Sequence, residues 1–219
     1  MTSTAGQDAE RGSVLLCTLM VITLIATVGA AVSLIVFTES VVAGTYYASQ
    51  QGLYAADAGI ELAIAEARVL STWTSLPSSA SPSSDFNDGQ TTPRGPDGTA
   101  LNLAQLTMKR QAESDAVYPN VADRPHWRLY SHATLNRIAG RAASGTPYVV
   151  VWIADDPDDL DGDPAVDTND IVLLHAEAFA VRSGTRAVGA TIHREQAMAA
   201  GLPGVTRSDV RVIAWHETH

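Results

Sequence analysis

The sequence contains few residues that indicate covalent cross-linking or catalysis. Cys17 is the only cysteine among 219 residues, so the chain forms no disulfide within itself. It carries no Gly-x-Ser-x-Gly motif, phosphate-binding loop or dinucleotide fingerprint. The histidines show no zinc-ligand spacing and are expected on strand surfaces; they are His126, His132, His175, His193, His216 and His219. We therefore predict a protein that is not an enzyme.

Basic residues are also scarce. Lysine and arginine number 14 against 24 acidic residues, which gives a net charge of -10. Residues 155–170 contain eight aspartates and no basic residue, so the rest of the chain carries a net charge of only -2. Because no basic patch is available to neutralise phosphates, we expect no binding to nucleic acid.

Formal charge is absent from the 27 residues between Arg11 and Glu39. A helix needs about 20 apolar residues to cross the ~30 Å hydrocarbon core, so this stretch predicts a membrane-spanning helix. It is too long for the apolar core of a secretory signal peptide, and no A-x-A site ends it. A lipoprotein needs a small residue before its cysteine, whereas Leu16 precedes Cys17.

Proline is absent between Met1 and Pro77, which predicts one helical rod of about 60 residues. Its second half is amphipathic, with apolar residues at steps of three and four: Leu53, Ala56, Ile60, Ala63, Ile64, Ala67 and Leu70. In its first half, Ala26 and Ala30, like Gly29 and Ser33, are small residues four apart, a spacing that lets helices approach closely in lipid. The first half is thus expected in lipid and the second half on a soluble domain.

The remainder reads as a serine- and proline-rich loop followed by strands. Residues 74–100 are predicted to form an exposed, flexible loop. Strands are predicted at 101–108, where Leu101, Leu103 and Met108 begin the sheet, and at 127–135, 148–154, 172–180, 188–192 and 210–216. Residues 172–192 form a hairpin with its turn at 182–185. The predicted fold class is α+β, with a long N-terminal helix packed on an antiparallel sheet.

The aspartates of residues 155–170 are the strongest local cluster. Closely packed hard oxygen ligands suit calcium, which accepts six to eight of them. The candidate calcium ligands are Asp156, Asp158, Asp159, Asp161, Asp163, Asp167 and Asn169. The order Asp159-Leu-Asp161-Gly-Asp163 resembles a calcium loop, but the glycine has the wrong offset for an EF-hand and no glutamate stands at the twelfth position. A solvated acidic loop is the alternative.

The polar leader at the front of the chain ends in Glu10-Arg11-Gly12 and is followed directly by the apolar helix. This arrangement resembles a type IV prepilin. Residues 51–61 read QGLYAADAGIE and resemble PilX-type minor pilins, as does the ending VIAWHE at residues 212–217, with its Trp-x-Glu pattern. The resemblance implies cleavage by a prepilin peptidase between Gly12 and Ser13, followed by methylation of the new amino terminus.

This resemblance implies five segments and a function. The segments are a leader at 1–12, a transmembrane and assembly helix at 13–38, an amphipathic half at 39–73, the loop at 74–100 and a sheet domain at 101–219. The assembly helix includes Val14, Leu15, Leu16, Cys17, Ala26, Gly29, Ala30 and Ser33. A PilX-like minor pilin takes part in pilus assembly with other minor pilins and the major pilin. It stays in the inner membrane, with its domain outside the cytoplasm, until it enters the pilus.

One departure concerns the fifth residue of the mature chain, which is glutamate in most major pilins and Cys17 here. In pilins that carboxylate is thought to pair with the terminal amine of the subunit above. Its absence is shared by PilX-type and type II secretion K-type subunits, and implies a position at or near the filament tip. The alternatives are a K-like type II secretion minor pseudopilin and a single-pass anchored extracytoplasmic protein or enzyme. An adhesin is a further, overlapping possibility.

Overall fold

The computed structural model describes residues 5–70, 72–78, 84–121, 124–139, 145–159, 161–181, 184–198 and 206–218. The helices are α1 (Ala5–Val69), α2 (Leu103–Val117) and α3 (Asn136–Ala139), and the strands are β1 (Arg128–Thr134), β2 (Tyr148–Asp155), β3 (Ile171–Ala180), β4 (Gly184–Met198) and β5 (Thr206–Thr218). All strand pairs are antiparallel, in the order β1-β2-β3-β4-β5. The predicted α+β class, with a long N-terminal helix on an antiparallel sheet, is confirmed.

The chain divides into two compact units, one ending at Tyr46 and the other beginning at Tyr47. The first unit contains the front of α1, which starts at Ala5. The leader predicted at residues 1–12 was expected to be too short and too mixed in composition to fold, but it is helical from Ala5 to Gly12. Its lack of proline and its good helix formers, such as Ala9 and Glu10, account for the difference. Residues 1–4 lie outside the described part.

In the second unit, the amphipathic part of α1 packs on one face of the sheet. At Gly59 the helix approaches the sheet closely, since a Cβ atom placed there would lie 2.7 Å from Val149 Cγ1 and 3.2 Å from Val151 Cγ2. The predicted stripe is confirmed: its five central residues are buried and Leu53 and Leu70 are partly buried. On the sheet, the facing residues are Val149, Val151, Ile153, Val172, Leu174, Ala176, Ala178, Val188, Ala190 and Ile192.

The strands beyond residue 127 follow the predictions closely. β2 is buried along its whole length, as expected for the almost continuous apolar run at 148–154. β3 and β4 form the predicted hairpin, in which Val172 pairs with Ile192 and Ala180 pairs with Gly184. β5 contains the predicted last strand and pairs only with β4 among the described strands.

The predicted first strand is wrong, because residues 103–108 belong to helix α2. Asn102 caps this helix, its side-chain oxygen accepting a hydrogen bond from the backbone N–H of Gln105 at 3.1 Å. Leu103 and Leu106, three apart, then face the second side of the sheet. Trp152 Nε1 on β2 donates a 2.8 Å hydrogen bond to Thr107 Oγ1, so α2 covers the sheet face opposite α1.

The serine- and proline-rich segment is less exposed than predicted. Phe86 is buried in the core beneath α1. The backbone of this segment pairs with β1, since Asp88 N donates to His132 O and His132 N donates to Phe86 O, both at 3.1 Å. The expectation of an exposed loop is therefore wrong for residues near Phe86, which anchors them to the core. Residues 79–83 lie outside the described part.

Candidate functional site

Three carboxylates of the acidic segment converge where β2 ends. Asp155 is the last residue of β2, and Asp159 and Asp161 follow in the β2–β3 loop. One carboxylate oxygen from each lies within 4.8 Å of those from the other two. Asp155 and Asp159 are buried and Asp161 is exposed, so the group extends from the interior to the surface. Three carboxylates in this arrangement are hard oxygen ligands of the kind that calcium and magnesium bind.

Asp155 differs from an ordinary surface aspartate in its burial and in its lack of hydrogen bonds. It is 1% exposed, and neither of its carboxylate oxygens has a hydrogen-bond partner among the described residues. Burial, followed by the negative charges of Asp167 and Asp159, raises the pKa of Asp155 to about 8. Asp167 is also buried, with its Oδ2 atom unpartnered in the described part, and burial raises the pKa of Asp167 to about 6.

Asp159 has a different environment. Its Oδ1 accepts a 2.6 Å hydrogen bond from Thr168 Oγ1, and its Oδ2 accepts a 2.7 Å bond from the backbone N–H of Thr168. Burial acts to raise the pKa of Asp159, but these hydrogen bonds outweigh it and the pKa is lowered. Asp159 is thereby held as a carboxylate beside Asp155.

The structure brings together only part of the predicted ligand set. Asp156 instead holds the loop in shape, with its Oδ1 accepting from Asn169 Nδ2 at 2.9 Å and its Oδ2 from Asp158 N at 3.0 Å. Asn169 Oδ1 and Asp163 Oδ1 accept backbone N–H groups two residues further on. Asp155 was counted in the acidic cluster but was not among the predicted ligands. Its burial depends on the sheet pairing, which the local sequence does not show.

The acidic loop is joined to the segment that follows α1. The backbone N–H of Asp167 donates to the carbonyl of Thr74 at 3.2 Å. Asp170, beside it, forms an ion pair with Arg194 on β4, whose guanidinium lies 5.7 Å from the centre of the Trp73 ring. The loop therefore contacts both the end of the helix region and the neighbouring strand.

Two histidines predicted on strand surfaces are buried. His132 Nδ1 lies 2.9 Å from Tyr148 Oη and 3.2 Å from Asp88 Oδ1, and Tyr148 Oη donates to Asp88 Oδ2 at 2.9 Å. Burial lowers the pKa of His132, against the opposing effect of Asp88. His175 is enclosed by Trp127 and Trp152. These contacts join the loop at Asp88 and strands β1, β2 and β3. His219 lies outside the described residues.

A groove of about 520 Å³ lies between α2 and the β1 edge of the sheet. Its lining includes Leu103, Thr107, Trp127, Leu129 and His132. The imidazole of His132 is engaged with Tyr148 and Asp88, and the lining supplies no cysteine or serine among the described residues. The groove therefore combines apolar side chains with polar ones, among them Asn87, Gln90 and Arg128.

The apolar half of α1 is the second candidate site. Its predicted assembly residues Val14, Leu15 and Leu16 each have more than half of their surface exposed, and Cys17 is exposed as well. Ala26, Gly29, Ala30 and Ser33 lie on the same exposed segment. By length and composition this helix could cross a membrane: an 18-residue window reaches a mean hydropathy of 2.6, with none of it buried.

Five hydroxyl groups of this half are satisfied inside the helix. Those of Thr18, Thr23, Thr27 and Thr38, and that of Ser33, donate to carbonyls three or four residues earlier at 2.8–3.1 Å. A polar group without a partner is costly in hydrocarbon, so this pairing suits a lipid environment. The predicted processing pair Gly12 and Ser13 lies within α1, with Ser13 exposed.

A scan against protein-family models, a search of curated proteins and a search of solved structures each found no match to this chain.

Proposed function

We propose that this protein is a PilX-like minor pilin that takes part in type IV pilus assembly and is not an enzyme. The observation that carries the proposal is the division of α1. One part is a long apolar segment that the chain leaves exposed, and the other is packed on a five-stranded antiparallel sheet. A subunit built this way uses the exposed segment first as a lipid anchor and later as an assembly surface between subunits.

The amino-terminal residues support the same proposal. Gly12 separates a charged leader from an apolar helix, the arrangement expected of a prepilin peptidase substrate. After a cut between Gly12 and Ser13, the subunit would stay in the inner membrane with its sheet domain outside the cytoplasm. It would then join other minor pilins and the major pilin in a priming complex at or near the filament tip. Burial of apolar side chains among neighbouring helices would drive this step, together with close packing at Gly29 and Ala30.

The mature amino terminus tests the proposal. The full chain is produced together with an active prepilin peptidase, and its intact mass is measured. We expect a product that begins at Ser13 and carries a methyl group. A bulky Gly12→Leu variant should remain uncut, whereas the matched Ser13→Ala variant should still be cleaved. If the chain keeps its first 12 residues while a control prepilin is processed, the protein is a single-pass anchored protein and the proposal fails.

A further inference from the structure

We propose that Asp155, Asp159 and Asp161 bind one calcium ion at the junction of β2 and the β2–β3 loop. This inference concerns the sheet unit alone and does not depend on the assignment as a minor pilin. It also replaces the broader ligand set that the sequence predicts with three carboxylates that the fold brings together.

The distances among the carboxylates are the first argument. Oxygens from all three residues lie within 4.8 Å of one another, although the residues are separated by up to six positions along the chain. Like charges this close repel one another, more strongly where burial lowers the local dielectric constant. A divalent cation between them converts this repulsion into attraction and gives each carboxylate a ligand bond.

The burial of Asp155 is the second, independent argument, and it decides against a merely solvated acidic loop. A solvated aspartate would place its oxygens in water. Asp155 is instead 1% exposed, and both of its oxygens lack hydrogen-bond partners among the described residues, while one of them faces Asp159 and Asp161. Buried polar groups are nearly always paired, and a buried charge is normally paired or bound to a metal. A bound cation supplies the missing partner.

The ligand chemistry favours calcium. All three groups offer hard oxygens, two of them from an irregular loop, and calcium tolerates such loose geometry, whereas magnesium requires a nearly ideal octahedron. Asp159 Oδ1 and Oδ2 each accept one hydrogen bond from Thr168, and a carboxylate oxygen retains a second lone pair for a metal. Because Asp161 is exposed, water can reach the ion and complete its coordination.

The ion would stabilise a region that no disulfide can secure, since Cys17 is the only cysteine in the chain. The loop containing Asp159 and Asp161 continues to Asp167, whose backbone N–H binds the carbonyl of Thr74. Fixing the loop on β2 would therefore also hold the segment that follows α1.

Calorimetric titration tests the site. The full chain in dodecyl maltoside micelles is treated with a chelator and titrated with calcium chloride, and its thermal unfolding is compared in calcium and in EDTA. We expect one ion per chain, with a dissociation constant on the order of 10⁻⁴–10⁻³ M, as in extracellular calcium modules. Calcium should raise the unfolding midpoint, because it binds the native state only.

Matched variants make the test specific. Asp155→Asn and Asp161→Asn should each weaken calcium binding at least about tenfold and abolish the calcium-dependent rise in midpoint. Asp158→Asn removes the same charge from an exposed residue outside the three-carboxylate group and should change neither. Asp161 is exposed, so its variant keeps the test informative even if Asp155→Asn does not fold. The proposal is overturned by absence of saturable binding, by tighter binding of magnesium than of calcium, or by an equal loss in Asp158→Asn.

Discussion

The two parts of α1 on either side of Tyr46 differ in the size of their side chains and in what covers them. The first part is rich in large apolar residues, and Leu24, Ile25 and Phe37 are each more than 60% exposed. On its buried side, the second part is built largely from small residues, and Ala55, Ala56 and Gly59 are completely covered or nearly so. One helix therefore carries two apolar surfaces with different partners.

The difference shows that one apolar surface of α1 packs within the chain and the other is left for lipid or other molecules. Small residues let the helix approach β2 closely, so this part finds its partner within the chain. The large exposed residues form an apolar surface far bigger than a soluble monomer normally exposes, and it needs lipid or other helices to cover it. Most of the predictions below change one part of α1 and use the other as the control.

The largest effect is expected from charge in the exposed part. Leu24→Lys combined with Val28→Lys places two ammonium groups near the middle of the apolar segment. Each costs about 2.5–3.5 kcal/mol at the centre of a membrane helix, so together they should oppose insertion by about 5–7 kcal/mol. Extraction of membranes with alkaline carbonate should release the double variant and retain the unaltered chain.

The matched control introduces two lysines into the other part of α1. Gln51 and Val69 are exposed there, so Gln51→Lys with Val69→Lys should leave the protein in the carbonate-resistant fraction. Equal release of both double variants would mean that membrane attachment does not depend on the exposed part of α1.

A cavity beneath the packed part should cost the next largest amount. Ile60 is completely buried against the sheet, so Ile60→Ala should lower the free energy of unfolding by about 2–5 kcal/mol. Ile25→Ala, in the exposed part, should leave it unchanged. Urea unfolding in micelles, followed by tryptophan fluorescence, measures this cleanly because Trp73, Trp127, Trp152 and Trp215 all belong to the second unit. A comparable loss in both variants would contradict the division.

The two parts should also respond in opposite directions when a glycine gains one methyl group. In Gly59→Ala the new Cβ would lie 2.7 Å from Val149 Cγ1, so overpacking should destabilise the sheet unit by about 1–3 kcal/mol. At Gly44 nothing lies within 4 Å, and alanine there should increase helix stability by up to about 1 kcal/mol. The first effect is read from urea unfolding and the second from helical circular dichroism. Stabilisation by Gly59→Ala would show that helix and sheet are not in close contact.

The sequence predicted the elements whose pattern is set by burial on a single surface. The stripe containing Ile60 and Ile64 repeats with the helical period, and residues 148–154 are apolar enough to be buried on both faces. The failures occurred where tertiary contacts decide. Leu101 and Leu103 resemble a strand start, but the cap at Asn102 and the contact of Thr107 with Trp152 fix a helix there. Phe86 is a single apolar residue in a polar segment, and its burial is seen only once the core has formed.

The candidate metal centre was predictable in kind but not in detail. The density of aspartates after β2 indicated a site for hard cations, yet nothing in the local pattern separates the residues that converge from those that form turns. Asp156 and Asn169 bind each other and shape the loop, whereas Asp155 is turned inward by the position of β2 in the sheet. The orientation of alternate residues along a strand decides between the two roles, and it depends on strand pairing over long sequence distances.

The smallest predicted effect concerns the hydrogen bonds made by Glu66, which lies in the packed part of α1. Tyr130 Oη on β1 donates a 2.9 Å hydrogen bond to Glu66 Oε2, and Ser84 Oγ donates to Glu66 Oε1 at 2.7 Å. Tyr130→Phe removes one of these donors and should cost about 1 kcal/mol at pH 8. Tyr54→Phe changes an exposed residue of α1 and should not measurably change the free energy of unfolding.

The contribution of Tyr130 to stability also depends on pH. Burial, followed by the negative charge of Glu66, raises the pKa of Tyr130 above its ordinary value of 10.0. Below that value the phenol is neutral in both the folded and the unfolded chain, so its contribution is fully present. Above it the unfolded chain ionises first, and stability is lost as the pH rises towards the folded pKa. Urea midpoints measured between pH 8 and 11 should therefore fall less steeply in Tyr130→Phe than in the unaltered chain, with Tyr148 retaining part of the slope because its pKa is raised in the same direction. Identical slopes in the two proteins would show that the pKa of Tyr130 is not raised in the folded chain.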